Sequence, residues 1–326
     1  MSRPPGEFDL IARYFNRSQH SDGVELGIGD DCALIDGGPD RSWAVTTDML
    51  VEGVHFLPET TPEALGHKAL AVNLSDLAAC GVQPRCFFMA IALPRVDEAW
   101  LGAFTGGLFA VSDRFGCTLA GGDTTRSAAG VTISIAAVGE VPPGQALLRS
   151  GAQVGDDVWV SGRVGDGALG LALRRDGLTI DASERVALID KLERPIPRIE
   201  LGVALRGIAS SAIDISDGLA GDLGHILQRS GVAAMLDWGA IPISAALARM
   251  PLAFQRRCVF EGGDDYELLF TATPAKRAAV QSAGRNAQVA VSRIGSIAAG
   301  SGGLTVIDAH GLPMDIEARA FDHFRP

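Results

Sequence analysis

Short clusters of glycine and aspartate recur along this chain, and their residue types suit the binding of hard cations. Six clusters are present: Gly29-Asp30-Asp31, Thr46-Thr47-Asp48, Asn73-Leu74-Ser75-Asp76, Gly121-Gly122-Asp123, Asp214-Ile215-Ser216-Asp217 and Gly262-Gly263-Asp264-Asp265. Mg²⁺ is normally held by a few carboxylates together with substrate phosphates. Two like charges 4 Å apart repel by roughly 4 kcal/mol at an effective dielectric constant of 20. If the clusters converge in space, a cation must therefore lie between them.

The segments that carry the clusters alternate between strand and helix patterns, which indicates α/β or α+β layers. The first half predicts strands at 43–47, 86–93, 117–120 and 131–140, and helices at 62–79 and 97–115. The second half predicts strands at 157–161 and 266–271 and a helix at 219–230, N-capped by Ser216 or Asp217 and ended by Gly231. Each acidic cluster then lies at or near the end of an element.

The helix predicted at 62–79 carries an acid in an unusual position. Leu65, Ala69 and Val72 share one helical face, and Asp76 lies on or next to that face. A carboxylate on an apolar face requires a partner. Asp76 is therefore a candidate member of the cation site.

Composition narrows the class of protein. The chain has 326 residues, 47% of them hydrophobic, which is enough apolar material for two domains or one large one. The net charge of −11 without a basic stripe argues against a nucleic-acid partner. The strongest apolar run, 86–93, is too short to span a membrane, and we expect no signal peptide. Five cysteines without a CxxC pair indicate buried thiols in a reducing cytoplasm.

A break in the chain divides it into two predicted domains. Pro142-Pro143-Gly144 interrupts the pattern, and Ser150-Gly151 restarts it. We therefore expect an N-terminal domain at 1–148 and a C-terminal α/β domain at 149–326.

Several other motifs are absent, or are better explained by a structural role than by a different function. None of the three lysines follows a glycine, so the P-loop signature is absent. Gly165 to Gly170 matches GxGxxG, and a purely structural turn is favoured over dinucleotide binding, which would make the chain an oxidoreductase. His55 alone is typical of a hydrogen-bonded structural histidine. A non-catalytic Ca²⁺-binding module would need a contiguous acidic loop, and these acids are dispersed.

Taken in order, the segments resemble the thiamine-monophosphate kinase family. The matching segments are Glu25 to Ala33, Thr46-Thr47-Asp48, Gly53-Val54-His55-Phe56, Lys68 to Ala78, Gly121 to Thr125, Arg149 to Ala152, Asp214 to Leu219, Gly262 to Leu268 and Phe321-Asp322-His323-Phe324. The similarity runs from Gly6 to Phe324. Aminoimidazole ribonucleotide synthetase, from the same superfamily, is the alternative, and the segments at 53–56 and 322–324 favour the thiamine branch.

The resemblance implies an activity and an architecture. The activity is ATP- and Mg²⁺-dependent transfer of the γ-phosphoryl group to thiamine monophosphate, giving thiamine diphosphate. The architecture is the two-domain aminoimidazole-ribonucleotide-synthetase-like fold. Its N-terminal domain is expected to bind metal and ATP, and its N-terminal sheet to pair with that of a second subunit in a homodimer.

The resemblance also assigns roles to single residues. Metal-ligand positions are matched by Asp31, Thr46, Thr47, Asp48, Asp76, Asp123, Asp214 and Asp217, of which Asp48, Asp76 and Asp123 are the expected catalytic residues. Nucleotide contacts are matched by Gly122, Asp123, Arg149 and Ser216, and substrate contacts by His55, Asp264 and Phe321. Many relatives have Glu in place of Asp264, and some have Tyr or Trp in place of Phe321.

The implied chemistry needs no general base. The acceptor is a phosphate monoester, whose second pKa near 6 leaves it largely ionised at pH 7. Catalysis is then expected to rest on positioning and on electrostatic screening of two anions.

Overall fold

The structure is a computed structural model that describes residues 6–16 and 22–316, and in these residues thirteen strands form two sheets. The first sheet contains β1 (Val24–Leu26), β2 (Ala33–Asp36), β3 (Ser42–Val51), β4 (Gln83–Leu93), β5 (Thr118–Arg126) and β6 (Thr132–Val141). The second contains β7 (Asp157–Ser161), β8 (Ser211–Asp214), β9 (Ala233–Asp237), β10 (Leu268–Ala272), β11 (Val291–Ala298), β12 (Leu304–Ile307) and β13 (Pro313–Met314).

Ten α-helices accompany these sheets in the described residues. They are α1 (Glu7–Leu10), α2 (Pro62–Ala79), α3 (Glu98–Phe115), α4 (Asp166–Arg175), α5 (Ala182–Glu193), α6 (Ile199–Ala204), α7 (Leu219–Ser230), α8 (Ala245–Ala248), α9 (Leu252–Phe260) and α10 (Arg277–Asn286). In the described part of the chain, no helix combines the length and apolarity needed to cross a bilayer.

Strand order explains how distant segments meet. The first sheet runs β1-β2-β3-β6-β4-β5, with β5 parallel to β4 and at the edge. The second sheet runs β13-β12-β9-β11-β7-β10-β8, with β12 parallel to β9. Both sheets are mixed, because each combines antiparallel pairs with one parallel pair.

Helix α2 lies between the two halves of the chain and is buried on nearly every side. It packs on β3 and β6, on α3, and on α6 and β8 of the second half. Thr61 caps its first turn by accepting a hydrogen bond from the Ala64 N–H. The sequence predicted its bounds correctly and its single apolar face wrongly, because a helix covered by two layers has no solvent side.

Two glycines allow α2 and α3 to approach closely. A Cβ on Gly66 would lie 1.9 Å from the Phe104 carbonyl oxygen, and a Cβ on Gly107 would lie 1.8 Å from that of Glu63. These distances leave no room for any side chain, so the backbones themselves form the contact. The crossing fixes α2, and with it the site acids that α2 carries.

We expect Gly107→Ala to destabilise the protein by about 3 kcal/mol, because the added methyl group must force the two helices apart. The neighbouring Gly106 is a matched control, since its Cβ would meet no atom within 4 Å. Gly106→Ala should stabilise by roughly 0.5–1 kcal/mol, as in an open helix position. Chemical-denaturation midpoints of both variants check this, and equal effects would contradict the role of the crossing.

Two strands extend beyond their predicted ends. β3 continues through Asp48 to Val51, because it pairs with β6 along its whole length from Ser42 to Val51. β5 continues through Gly121-Gly122-Asp123, which the sequence placed in a turn. A Cβ on Gly122 would lie 1.9 Å from the Met89 carbonyl oxygen, so glycine here serves close strand approach rather than a turn. Asp48 and Asp123 therefore lie inside strands, not at their ends.

Three further predictions differ from the structure in smaller details. β4 begins at Gln83 and alternates between buried and exposed residues, so it is not the fully buried strand expected at 86–93. β10 begins at Leu268 rather than at Tyr266, whose φ of 49° is incompatible with a strand. The helix at 219–230 has the predicted bounds and ends at Gly231 with φ 67°, but neither Ser216 nor Asp217 caps it, because Gly218 occupies the N-cap.

Candidate active site

A cavity of about 600 Å³ lies between the two halves of the chain. Acids from both halves line one end: Asp48, Asp76, Asp214 and Asp217. Apolar side chains line much of the rest: Val51, Val54, Phe56, Leu57, Leu171 and Leu192. The cavity thus combines a charged end with an apolar one, as a site for an anionic substrate with an organic part requires.

Three carboxylates converge at the charged end. Oxygen atoms of Asp31, Asp76 and Asp214 all lie within 4.8 Å of one another. They come from the loop before β2, from the last turn of α2 and from the end of β8, so three separate elements meet here. This is the convergence that the sequence predicted, and it unites acids from both halves of the chain.

Neighbouring polar groups orient these acids. The hydroxyl of Thr46 donates a short hydrogen bond to Asp76 Oδ2, and Ser75 Oγ donates to Asp214 Oδ2 at 2.5 Å. Arg149 holds Asp31 Oδ1 with Nη2 at 2.5 Å and Nε at 3.2 Å. The guanidinium of Arg149 compensates part of the negative charge of the cluster.

The acids of the cluster have raised pKa values in the absence of a cation. Burial and the charge of Asp31 raise the pKa of Asp48 to about 6. Burial, again with Asp31, raises the pKa of Asp214 to about 8, and the Ser75 hydrogen bond opposes this shift. Burial followed by Asp48, Asp214 and Asp31 raises the pKa of Asp76 well above its ordinary value. Each acid makes ionisation of the others harder.

The donor set fits Mg²⁺. Asp31 Oδ2 is buried and has no hydrogen-bond partner among the described residues, although a buried carboxylate oxygen normally has one. Three carboxylates with one such oxygen and no nitrogen ligand form a hard oxygen site. A divalent cation would satisfy the unpaired oxygen and relieve the mutual repulsion.

We expect the stability of the metal-free protein to fall as pH rises from 6 to 8. The folded-state pKa values of Asp48 and Asp214 lie above the unfolded value near 3.9, so the folded state binds more protons and loses stability as those protons leave. Mg²⁺ replaces the protons, so its stabilising effect should be larger at pH 8. At about 100 times its Kd, Mg²⁺ should raise Tm by roughly 4 °C.

Thermal unfolding in EDTA and in Mg²⁺ at both pH values checks this expectation. Asp214→Asn is the control variant, because it removes the group with the pKa of about 8 and should flatten the pH dependence. A Tm increase with Mg²⁺ that is equal at pH 6 and pH 8 would contradict the linkage.

The loop that follows β8 contributes Ser216 and Asp217 to the cavity wall. Their backbone N–H groups donate to Asp222 Oδ2 at 3.1 and 3.2 Å, so a carboxylate inside α7 holds the loop that was expected to cap that helix.

The cavity wall also contains a buried lysine. Lys68 Nζ lies 2.7 Å from Asp264 Oδ1 and 3.4 Å from the His55 carbonyl oxygen. His55 Nδ1 also accepts the Val51 N–H at 3.0 Å, which is the structural contact expected of a lone histidine. His55 and Asp264, both predicted substrate contacts, are thus brought together at one cavity wall by a residue that the sequence did not single out.

Comparisons with known proteins agree over the whole chain. Residues 29–141 match the family described as AIR synthase related protein, N-terminal domain, and residues 153–307 match its C-terminal domain. Thiamine-monophosphate kinase of Escherichia coli (strain K12) is 47% identical over 98% of each chain. Thiamine-monophosphate kinase of Stenotrophomonas maltophilia K279a has a solved structure that is 44% identical, with TM-score 0.79 over 92% of this chain and 96% of that one.

The chain belongs to the thiamine-monophosphate kinase family. A further solved structure, AaThiL complexed with AMPPCP and TMP, is 32% identical, with TM-score 0.84 over 98% of this chain and 97% of that one. The fold class and the family that the sequence predicted are therefore confirmed. The division at residues 148 and 149 stays a prediction.

Not every residue matched to the thiamine-monophosphate kinase motifs lies in this cavity. Gly122 and Asp123 lie in the edge strand β5, where Asp123 pairs with Ala90 of β4. Three strand spacings, about 14 Å, separate β5 from β3. Asp123 is exposed on the outer face of the first sheet, which we define as the face opposite α2 and α3. It therefore does not join Asp76 within one chain.

Thr47 lines the cavity, but its side chain is on the other face of β3 from Thr46. Strand alternation directs Thr46 and Asp48 toward α2 and Thr47 away from it, and Thr47 is exposed where Thr46 is buried. Phe321, the third expected substrate contact in the thiamine-monophosphate kinase pattern, lies outside the described residues.

The GxGxxG turn has its own internal partner. The N–H groups of Gly165 and Gly167 donate to the two carboxylate oxygens of Asp265, at 2.5 and 3.0 Å. An aspartate occupies the position that a phosphate takes in a dinucleotide-binding turn. In the described residues this turn is structural, which is the interpretation that the sequence favoured.

Sequence reasoning missed Lys68 and Tyr266 as parts of the site. Both line the cavity, and the Tyr266 hydroxyl donates to Asp264 Oδ1 at 3.2 Å. Burial raises the pKa of Tyr266, so its hydroxyl stays protonated and can donate. A signal was available for Lys68, because it stands four residues before Val72 on the face that was read as apolar.

Proposed function

We propose that this chain transfers the γ-phosphoryl group of ATP to thiamine monophosphate and forms thiamine diphosphate. The observation that carries the proposal is the convergence of Asp31, Asp76 and Asp214 at one end of a cavity whose other end is apolar. The relative AaThiL, which matches 98% of this chain, is described as a complex with AMPPCP and TMP, an ATP analogue and the proposed acceptor.

Asp31, Asp48, Asp76 and Asp214 are the residues that would hold Mg²⁺, with Asp217 beside them. Bound Mg²⁺ supplies charge screening between the two phosphate anions and alignment of the transferred group. Asp48, Asp76 and Asp123 are the proposed catalytic residues, because they would set the positions of the reacting phosphates. Thr46 and Ser75 keep Asp76 and Asp214 in fixed orientations by hydrogen bonding.

The cavity has room for an acceptor with a cationic organic half. Asp264 presents a carboxylate to the cavity, and Phe56 and its apolar neighbours line the same cavity. His55 and Asp264 are the proposed substrate contacts, and Arg149 and Ser216 the proposed nucleotide contacts. Because the phosphate acceptor is already ionised near pH 7, these residues need only bind and orient.

We also propose a homodimer formed through the outer face of the first sheet. Phe88 is 45% exposed on that face, and Met49, which also lines the cavity, is 55% exposed, although both belong to central strands. Exposed apolar side chains on a central sheet face are typical of an interface. A second copy placed against this face would bring its own Gly122 and Asp123 toward β3, which one chain alone does not do.

The cytoplasm is the proposed location of the protein. Its cysteines are free, and four of the five are buried as small apolar side chains. Free thiols suit a reducing compartment, and ATP is available in that compartment.

An assay of the purified protein with ATP, Mg²⁺ and thiamine monophosphate tests the proposal. We expect thiamine diphosphate and ADP in equal amounts. Free thiamine and a ribonucleotide precursor of aminoimidazole ribonucleotide, for the alternative synthetase reaction, serve as competing substrates. ADP production only with the ribonucleotide would replace this proposal with aminoimidazole ribonucleotide synthesis.

A further inference from the structure

The charge of Lys68 is buried at the site and is not explained by the metal-binding acids. Its side chain is only 4% exposed, and burial of an ammonium group is costly unless it is paired. Lys68, Val72 and Asp76 follow one another at intervals of four residues on α2, and all three line the cavity. Lys68 and Asp76 are eight residue steps apart, about 12 Å along the helix, so Lys68 is not itself a member of the acid cluster.

The partner of Lys68 is held with unusual rigidity. Asp264 has a φ of 68°, a left-handed conformation uncommon outside glycine, and two residues later Tyr266 has a φ of 49°. Backbone bonds from Asp264 N to Ser216 O and from Tyr266 N to Ile215 O maintain this geometry. Strained conformations of this kind persist at sites where a side chain must be aimed.

The hydrogen bonds of Asp264 leave one oxygen for the cavity. Lys68 Nζ and the Tyr266 hydroxyl both contact Oδ1, at 2.7 and 3.2 Å. Among the described residues, none is placed to bond Oδ2, and Asp264 is 28% exposed and lines the cavity. The carboxylate is therefore fixed through one oxygen and presents the other.

We propose that Lys68 is a positioning residue that fixes Asp264 for recognition of the cationic, hydrogen-bond-donating organic half of the acceptor substrate. The ammonium group keeps the carboxylate in one rotamer, and its contact with the His55 carbonyl joins the turn after β3 to the loop before β10. Lys68 thus acts on substrate binding through Asp264 and takes no part in phosphoryl transfer. This inference rests on the proposed function, because it concerns the acceptor end of the same site.

Steady-state kinetics of Lys68→Met test the proposal. We expect the KM for thiamine monophosphate to rise about 10-fold or more, with the KM for ATP and kcat changed by less than about 3-fold. Asp264→Asn should show a similar change. In the double variant, Lys68→Met should add little to Asp264→Asn, because a residue that acts only through another has no effect once that other is neutralised.

Lys191→Met is the matched control for loss of a buried ion pair. Lys191 Nζ lies 2.8 Å from the buried Glu267 and does not line the cavity. Its replacement should lower Tm while leaving the KM for thiamine monophosphate within about 2-fold of wild type. If Lys68→Met behaves like Lys191→Met, the role of Lys68 is structural and the proposal is overturned.

A second variant keeps the test decisive if Lys68→Met fails to fold. Tyr266→Phe removes only the other hydrogen bond to Asp264 Oδ1, and we expect its KM for thiamine monophosphate to rise by about 2- to 5-fold. An unchanged KM in a folded Tyr266→Phe protein would then overturn the proposal. Failure of the proposed function itself is distinguishable, because in that case the wild-type protein would form no thiamine diphosphate.

Discussion

Asp76→Asn should reduce kcat/KM for thiamine diphosphate formation by about 10³-fold, comparable with the loss of a preorganised electrostatic contact at a transition state. Asp76 lies with Asp31 and Asp214 in the acid cluster, and Asn supplies only a weak neutral ligand in place of a charged one. The Asn amide can still accept the hydrogen bond from Thr46, so the local fold should persist.

The same substitution should leave the metal-free protein as stable as wild type. Burial and the neighbouring acids raise the pKa of Asp76, so in EDTA its carboxyl is already shifted toward the neutral form that Asn imitates. We expect Tm in EDTA to change by less than about 2 °C, whereas the Tm increase on adding Mg²⁺ should be largely lost. Activity and metal-dependent stability should therefore disappear together.

Asp166→Asn is the matched control for this prediction. Asp166 is also buried, its pKa is also raised by burial, and its Oδ1 has no hydrogen-bond partner among the described residues, but it does not line the cavity. We expect kcat/KM within about 3-fold of wild type. A similar loss in both variants would show that burial, not membership of the acid cluster, accounts for the effect.

A mixed dimer of Asp76→Asn and Asp123→Asn subunits should recover about half of wild-type activity, although each variant alone is expected to be nearly inactive. Asp123 lies about three strand spacings from β3 and on the opposite face of the sheet from Asp76. If each site takes Asp76 from one subunit and Asp123 from its partner, the mixed dimer contains one intact site and one with both substitutions.

Co-expression with two different affinity tags and sequential purification isolates the mixed dimer. Asp97→Asn in place of Asp123→Asn is a suitable control, because Asp97 caps α3 away from the cavity, and its dimer with Asp76→Asn should keep about one wild-type site. Absence of activity in the Asp76→Asn and Asp123→Asn pair would mean that both residues serve the same site from one chain, or that the outer face is not the interface.

The sequence predicted the elements of this fold better than their surroundings. The bounds of α2, α7 and β7 could be read from a helix-opening proline, glycine stops and a short apolar run. The burial of α2 on nearly all sides could not, because a helix between two layers shows no periodic signal until the second layer is known. Gly122 was read as a turn, since its role depends on the closeness of Met89, which is 33 residues away.

The site was predictable to the extent that its chemistry is carried by residue type. The convergence of Asp31, Asp76 and Asp214 could be predicted from the family resemblance and from the tendency of clustered carboxylates to share a cation. The face of the sheet from which Asp123 projects depends on strand register. The sequence of one strand does not fix its register relative to strands β3, β6 and β4. Lys68 was overlooked because the charge of a lysine on an apolar face has meaning only when its partner, Asp264, is known.

Asp265 contacts the turn at 165–170, so a carboxylate of this protein already fills the place where a phosphate would bind. The sequence at 165–170 matches a nucleotide-binding motif, yet the N–H groups of Gly165 and Gly167 already donate hydrogen bonds to Asp265. A dinucleotide could bind in that turn only if it displaced the Asp265 carboxylate. A glycine motif can bind a cofactor phosphate only where its N–H donors are unpaired. The hydrogen bonds of these donors, and not the presence of the glycines, therefore identify a functional cofactor site.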